Sequence, residues 1–130
     1  MMNLKNTNLY TIIVVEDEVA IATMYKYKLE LAGYTVHMAH NGNDGLRLAE
    51  QQQPDLMLVD IRMPVMTGDE MLEAMRATDW GSKPRVIVLT NISKSEAPTN
   101  LRFLNIDRYV VKAHHTPQQV LEIVQEILGA

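Results

Sequence analysis

Short apolar runs recur along the chain, separated by longer segments in which apolar residues return every three or four positions. Residues 10–15, 56–59 and 85–89 are apolar almost without a break and too short for helices. Such runs predict strands that are buried on both faces, as in a parallel sheet. Residues 34–39 and 107–111 predict two further strands, which makes five in total.

The segments between these strands favour helices. In the first segment, residues at helical spacing precede Gly33, which ends the helix: Ile21, Met24, Tyr25, Leu29 and Ala32. Residues 44–52 predict a second helix, with Leu46 and Ala49 inward, and Pro54 ends it before the next strand. Residues 69–77 predict a third helix.

Three connections carry cap signals or helix breakers. Thr67 or Asp69 is a suitable N-cap for the third helix, and Thr116 followed by Pro117 predicts the start of the last one. Residues 91–105 contain apolar residues at helical spacing, but Pro98 is tolerated only in a first turn. We therefore expect a short or irregular helix there.

Strands thus alternate with helical segments five times, which predicts an α/β fold with a five-stranded parallel sheet. Right-handed crossovers place helices on both faces, giving a doubly wound (βα)5, flavodoxin-like arrangement. No internal repeat or linker divides the 130 residues, so we expect one domain, with residues 1–8 as a loose lead-in.

Polar residues stand where the strands end. Glu16, Asp17 and Glu18 follow the first strand, and the later strands are followed by single polar groups: Asp60, Thr90 and Lys112. Because the carboxyl ends of parallel strands meet at one edge, these groups converge on a single cleft. Clustered carboxylates need a cation, and an oxygen-only ligand set suits Mg²⁺.

Each of these residues also has an ordinary explanation. The three acids could cap a helix N-terminus, Thr90 could be a β-branched strand residue, and Lys112 could be a solvated loop lysine. A useful polar group at four of five strand exits favours a functional cluster over these separate explanations.

Composition narrows the class of protein. A hydrophobic fraction of 47% is enough for one core, and the net charge of −4 argues against a nucleic-acid-binding surface. The absence of cysteine excludes disulfides and thiolate metal sites. Residues 1–9 lack the apolar segment of a signal peptide, and no apolar run approaches the ~20 residues that cross a bilayer. We expect a cytoplasmic domain that binds no membrane.

The strand-end motifs, at these distances, resemble the receiver domain of two-component response regulators, and the size is similar to single-domain chemotaxis regulators. The similarity extends from about residue 9 to residue 128. The motifs that carry it are Val15-Glu16-Asp17-Glu18, Leu58-Val59-Asp60-Ile61-Arg62-Met63-Pro64-Val65-Met66-Thr67-Gly68, Val88-Leu89-Thr90 and Tyr109-Val110-Val111-Lys112.

The resemblance implies that Asp60 is the phosphoacceptor, which takes a phosphoryl group from a phosphohistidine and becomes an aspartyl phosphate. It also implies that Asp17 and Asp60 ligate Mg²⁺, with Glu16 binding directly or through water and the Arg62 backbone carbonyl as a further ligand. A divalent ion suits this chemistry because nucleophile and phosphoryl group are both anionic.

Further roles follow from the same resemblance. Lys112 would pair with a phosphoryl oxygen, the Thr90 hydroxyl would hydrogen-bond another, and Tyr109 would be the switch aromatic that moves inward as Thr90 shifts. The chain would then be a phosphorelay switch and not an enzyme, beyond phosphorylating and dephosphorylating itself. Its partners would be a sensor histidine kinase or phosphotransfer protein, and a downstream protein target or fused output domain. They would meet the face formed by the fourth helix, fifth strand and fifth helix.

Three positions depart from the family pattern. The family usually has proline after the lysine, often in a cis bond, whereas this chain has Ala113. A non-proline cis bond costs about 3 kcal/mol, so the bond is either trans with Lys112 placed differently, or cis and strained. Pro98 shortens the fourth helix. Arg62 and Asn91 could overhang the site and tune self-dephosphorylation.

Two other classes of protein remain open. A hydrolase of the acid-cluster phosphatase type also forms an aspartyl phosphate with Mg²⁺, but it normally has a second aspartate where this chain has Arg62. A nucleotide or flavin module can share the fold, but acids stand where its glycine-rich phosphate loop would follow the first strand.

Overall fold

The computed structural model describes residues 9–129, and its centre is one sheet of five parallel strands. The strands are β1 (Thr11–Val15), β2 (Thr35–Ala39), β3 (Leu56–Val59), β4 (Arg85–Thr90) and β5 (Arg108–Val111), in the spatial order β2-β1-β3-β4-β5. This confirms the predicted flavodoxin-like sheet. The predicted lead-in, residues 1–8, lies outside the described residues.

Four α-helices cover the two faces of the sheet: α1 (Val19–Leu31), α2 (Gly42–Gln52), α3 (Gly68–Arg76) and α4 (Pro117–Leu128). Of the two candidate caps for α3, Thr67 is the N-cap, and its backbone N–H donates to the Glu70 carboxylate. Thr116 caps α4 as predicted, because its hydroxyl accepts from the Gln119 N–H.

Successive side chains of a central strand such as β1 point to opposite faces of the sheet and pack in two separate hydrophobic cores. Ile12 and Val14 pack with α1 and α4, whereas Ile13 and Val15 pack with α2 and α3. This two-sided burial is the reason that the strands are apolar at consecutive positions. Met24 does not join the buried face of α1 that the helical spacing suggests: the residue is 41% exposed, and Ala22 is buried in that turn.

The fourth crossover differs from the predicted (βα)5 pattern, because no α-helix joins β4 to β5. Two short 3₁₀ turns, Lys94–Glu96 and Thr99–Phe103, stand there instead. Pro98 separates them in an extended conformation (φ −55°, ψ 135°) and has no N–H to give to a helical hydrogen bond. The irregular segment expected from the sequence is therefore present, and residues 9–129 contain four α-helices where the ideal (βα)5 fold has five.

The half-buried guanidinium of Arg76 anchors the end of this crossover. Arg76, at the end of α3, donates hydrogen bonds to four backbone carbonyl oxygens, those of Gly81, Pro84, Leu104 and Asn105, over 2.8–3.1 Å. Burial lowers the pKa of Arg76. The arginine thus satisfies carbonyl groups in the connection before β4 and at the end of the β4–β5 crossover, and links the two segments.

Within residues 9–129, none of the helices has both the length and the apolar character needed to span a bilayer.

Candidate functional site

The register of the sheet brings the ends of β1 and β3 together. Val15 is paired with Val59, and the Asp60 backbone N–H donates to the Val15 carbonyl oxygen at 3.0 Å. Glu16 and Asp60 therefore leave the sheet side by side. Both residues are almost fully buried, with 4% and 7% of their surface exposed.

Three carboxylates meet at this edge, as the sequence predicts. Glu16, Asp17 and Asp60 each place a carboxylate oxygen within 4.8 Å of the others. Asp17 is exposed, so the cluster opens to solvent on its side. Oxygen donors at this spacing suit a hard divalent cation such as Mg²⁺.

Lys112 connects the two buried carboxylates. Its Nζ donates to Glu16 Oε1 at 2.5 Å and to Asp60 Oδ2 at 2.9 Å, with a side chain that is 10% exposed. Burial lowers the lysine pKa, but the hydrogen bonds and charges of the two acids outweigh it and raise the pKa overall. Burial raises the pKa of Glu16, and its hydrogen bond with Lys112 opposes this rise. One ammonium faces three carboxylates, so negative charge remains in excess.

The bond that follows Lys112 is trans, since no peptide bond within residues 9–129 is cis. Of the two possibilities left open by Ala113, the structure has the trans bond, and Lys112 nevertheless reaches both acids. The Ala113 backbone N–H, which a proline would lack, donates to Asn91 Oδ1 at 3.0 Å.

Thr90 and Tyr109 border the same region. Thr90 is 1% exposed and lines a cleft of about 210 Å³ with Asp60 and Lys112. Its Oγ1 accepts only a long contact, 3.5 Å, from the Ile92 N–H. Tyr109 is half-buried, and its hydroxyl donates to the Ile92 carbonyl oxygen at 2.7 Å. Burial and the Asp60 charge raise the pKa of this phenol.

The loop after β3 wraps around Asp60. The Arg62 backbone N–H donates to Asp60 Oδ1 at 3.3 Å, and the exposed Arg62 side chain lines the cleft together with Asn91. A Cβ on Gly68 would lie 2.0 Å from the Asp60 carbonyl oxygen. Only glycine therefore lets α3 begin this close to the acid.

Sequence reasoning missed two contacts of the site. The exit of β2 was assigned no polar group, yet Nδ1 of His40 lies 2.9 Å from the Glu16 carbonyl oxygen. The rule of examining every strand exit would have identified this histidine. The contact between Asn91 and Ala113 joins residues 22 positions apart and leaves no sequence pattern.

The sequence of this chain is similar to those of known proteins. The family model described as the response regulator receiver domain matches residues 12–125. The chain is 36% identical over 121 residues to the uncharacterized transcriptional regulatory protein YkoG of Bacillus subtilis, covering 92% of this chain and 50% of that protein. It is 40% identical over 65 residues to the alkaline phosphatase synthesis transcriptional regulatory protein PhoP of the same organism, covering 50% of this chain and 27% of PhoP. The chain thus spans half, or less, of the length of these curated relatives.

Solved structures are similar as well. The chemotaxis protein CheY4 of Vibrio cholerae superposes with a TM-score of 0.83 at 27% identity, covering 91% of this chain and 98% of that one. The receiver domain of the sensor histidine kinase PA1611 from Pseudomonas aeruginosa, solved with magnesium in its active site cleft, gives a TM-score of 0.82 at 27% identity, covering 93% and 98%. By sequence match and by fold, this chain belongs to the response regulator receiver domain family, the signalling switches of two-component systems.

Proposed function

We propose that this receiver domain accepts a phosphoryl group on Asp60 and passes the change to a protein surface. The observation that carries the proposal is the contact of Lys112 with Asp60 and Glu16, beside the exposed Asp17. A buried lysine that bridges two acids at the mouth of a cleft places a positive charge beside the Asp60 carboxylate. The same lysine is then available to a third anion.

The donor set fits Mg²⁺. Glu16, Asp17 and Asp60 supply only oxygen, and one lysine leaves the three carboxylates with a net negative charge. These residues would hold the ion, with the Arg62 backbone carbonyl as the further ligand that the family resemblance implies. When bound, Mg²⁺ offsets the negative charges of the carboxylate and the incoming phosphoryl group. The family binds Mg²⁺ in its active site, which supports this assignment.

The chemistry is a displacement at phosphorus. A carboxylate oxygen of Asp60 forms a bond to the phosphorus of a phosphohistidine, the phosphorus–nitrogen bond breaks, and the imidazole leaves with the bonding electron pair. Lys112 moves from its present partners to a phosphoryl oxygen, and the Thr90 hydroxyl donates to another. Thr90 is suited to this role because its hydroxyl has only a long contact at present.

The switch would connect Thr90 to Tyr109. Tyr109 is tethered through Ile92, two residues beyond Thr90, so a shift of Thr90 toward the phosphoryl group strains that hydrogen bond. Phosphorylation would then bias a two-state element through a local change of charge. The partners we infer are a sensor histidine kinase or phosphotransfer protein and a downstream protein or output domain. The proposed contact face is the β4–β5 crossover with β5 and α4.

The test is incubation of the purified chain with Mg²⁺ and acetyl phosphate, followed by intact-mass measurement. The expected result is one phosphate per chain, lost when Asp60 is changed to Asn and retained in the matched control Asp79→Asn, whose side chain is exposed outside the cleft. Equal labelling of the Asp60→Asn variant would overturn the proposal. Rapid turnover of phosphomonoesters, with no retained phosphate, would favour the hydrolase alternative.

A further inference from the structure

We propose that Asn91 is the residue that positions Lys112, taking the structural place of the proline that the family usually has after its lysine. The inference rests on the proposed function, because it concerns the lysine that would contact the phosphoryl group. It assigns to Asn91 a role through the protein backbone and not a contact with the transferred group.

The geometry begins at the Ala113 backbone amide. Its N–H donates to Asn91 Oδ1 at 3.0 Å, and Ala113 follows the lysine directly. Among the described residues, this is the hydrogen bond that joins residues 113–115 to the segment at the C-terminal end of β4. The remaining contacts of this loop are local: the His115 N–H donates to the Lys112 carbonyl oxygen, and Nδ1 of His115 lies near the Val111 carbonyl oxygen.

The position of Lys112 is demanding. Its Nζ must lie within hydrogen-bond distance of Glu16 and Asp60 at once, from a backbone that has already left β5 and turns into a short 3₁₀ segment. A long side chain on an unanchored loop loses much conformational freedom when it is held this way. Fixing the next peptide unit against β4 reduces that loss. The chain achieves this through Ala113, whose backbone N–H donates to Asn91 where a proline would have no N–H to give.

Asn91 also stands where it can respond to the proposed switch. It follows Thr90 directly, and the carbonyl oxygen of the next residue, Ile92, accepts a hydrogen bond from the Tyr109 hydroxyl. Three successive residues therefore connect the cleft, the loop of Lys112 and the strand of Tyr109. A shift of Thr90 carries Asn91 with it, so the lysine and the aromatic residue move together.

The experiment is a double-mutant cycle measured on the rate of acetyl phosphate labelling in Mg²⁺. Asn91→Ala is expected to slow labelling about 3- to 10-fold, the range given by loss of one neutral hydrogen bond. In a Lys112→Ala background the same change is expected to have no further effect, because the residue that Asn91 positions is gone. Asn43→Ala, on the exposed surface of α2, is the matched control and leaves the rate unchanged in both backgrounds.

Equal losses from Asn91→Ala in both backgrounds would overturn the inference, since the residue would then act independently of Lys112. An Asn91→Ala chain that labels at the parental rate would overturn it as well. If Lys112→Ala labels too slowly to measure, the same cycle is run on affinity for beryllofluoride, a phosphoryl mimic, with the same two criteria. If the parent chain is not labelled at all, the proposed function itself fails, which is a distinguishable result.

Discussion

Replacing Lys112 by methionine tests how much the lysine stabilises the fold by neutralising the buried carboxylates beside it. Methionine keeps most of the length and apolar character of the side chain and removes the ammonium. Glu16 and Asp60 then remain buried, at 5% and 8% side-chain exposure, without the partner that they now share. Removing one partner of a buried ion pair costs roughly 3–5 kcal/mol, and the open side at Asp17 reduces this to about 2–3 kcal/mol here.

The cost should depend on pH and on Mg²⁺. In the folded chain the pKa of Lys112 is raised, so its stabilising contribution is fully present at pH 7, below its unfolded-state pKa, and is lost as pH rises through its folded-state pKa. The raised pKa of Glu16 acts in the same direction at lower pH: the folded state binds the proton more tightly, so stability falls as pH rises from the unfolded to the folded pKa of this group. In the variant the loss should therefore shrink as pH falls below 7, because protonation of Glu16 removes one of the uncompensated charges.

The assay is urea unfolding at pH 7, followed by circular dichroism, with and without Mg²⁺. For a typical slope the expected loss moves the midpoint down by about 1–2 M urea in metal-free buffer. Mg²⁺ is expected to stabilise the variant more than the parent, because more uncompensated negative charge is available to it. Lys83→Met, at an exposed lysine, is the control. An unchanged midpoint for Lys112→Met without Mg²⁺ would refute the reasoning.

Three other substitutions test features around the cleft. Arg76→Met removes the donor shared by four carbonyl groups and is expected to cost about 3 kcal/mol and to speed amide exchange at Leu104; unchanged exchange would contradict the anchoring role. Gly68→Ala would place a methyl group 2.0 Å from the Asp60 carbonyl oxygen, so we expect a loss of about 2–3 kcal/mol in urea and slower acetyl phosphate labelling. Val65 is 82% exposed with φ 70°, a costly conformation for a β-branched residue; Val65→Asn should therefore raise the free energy of unfolding by about 0.5–1 kcal/mol, and a decrease would argue against strain.

The sequence was sufficient for the sheet and for the convergence of the site, for a physical reason. Strands buried on both faces must be apolar at consecutive positions, so a short apolar run such as residues 56–59 is recognisable as a strand. Polar groups are tolerated only where such strands end, so they mark the edge of the sheet at which the site lies. The bounds of the helices shifted by about two residues at most: α2 begins at Gly42 instead of residue 44.

Other features depend on contacts between residues distant in sequence, and no local pattern contains them. The form of the β4–β5 crossover depends on Arg76, which lies 28 and 29 positions before two of the carbonyl groups it binds. The hydrogen bond of the Ala113 amide likewise has its acceptor, Asn91, 22 positions away. The roles proposed for Asp60, Thr90, Tyr109 and the Arg62 carbonyl remain predictions that the labelling experiments test.

The absence of a helix between β4 and β5 has a mechanical consequence. This segment leads from Thr90 to Tyr109, and within it the turn hydrogen bonds are few, such as that from the Glu96 N–H to the Ser93 carbonyl oxygen and that from the Leu104 N–H to the Leu101 carbonyl oxygen. A regular helix shifts as a rod and must slide its whole buried side against its neighbours. Two short turns can instead rearrange one at a time, at a cost of about 1 kcal/mol per hydrogen bond broken, without movement of the rest of the domain. The segment would therefore act as a flexible hinge. The rate and extent of the conformational change between Thr90 and Tyr109 would depend on a few local hydrogen bonds.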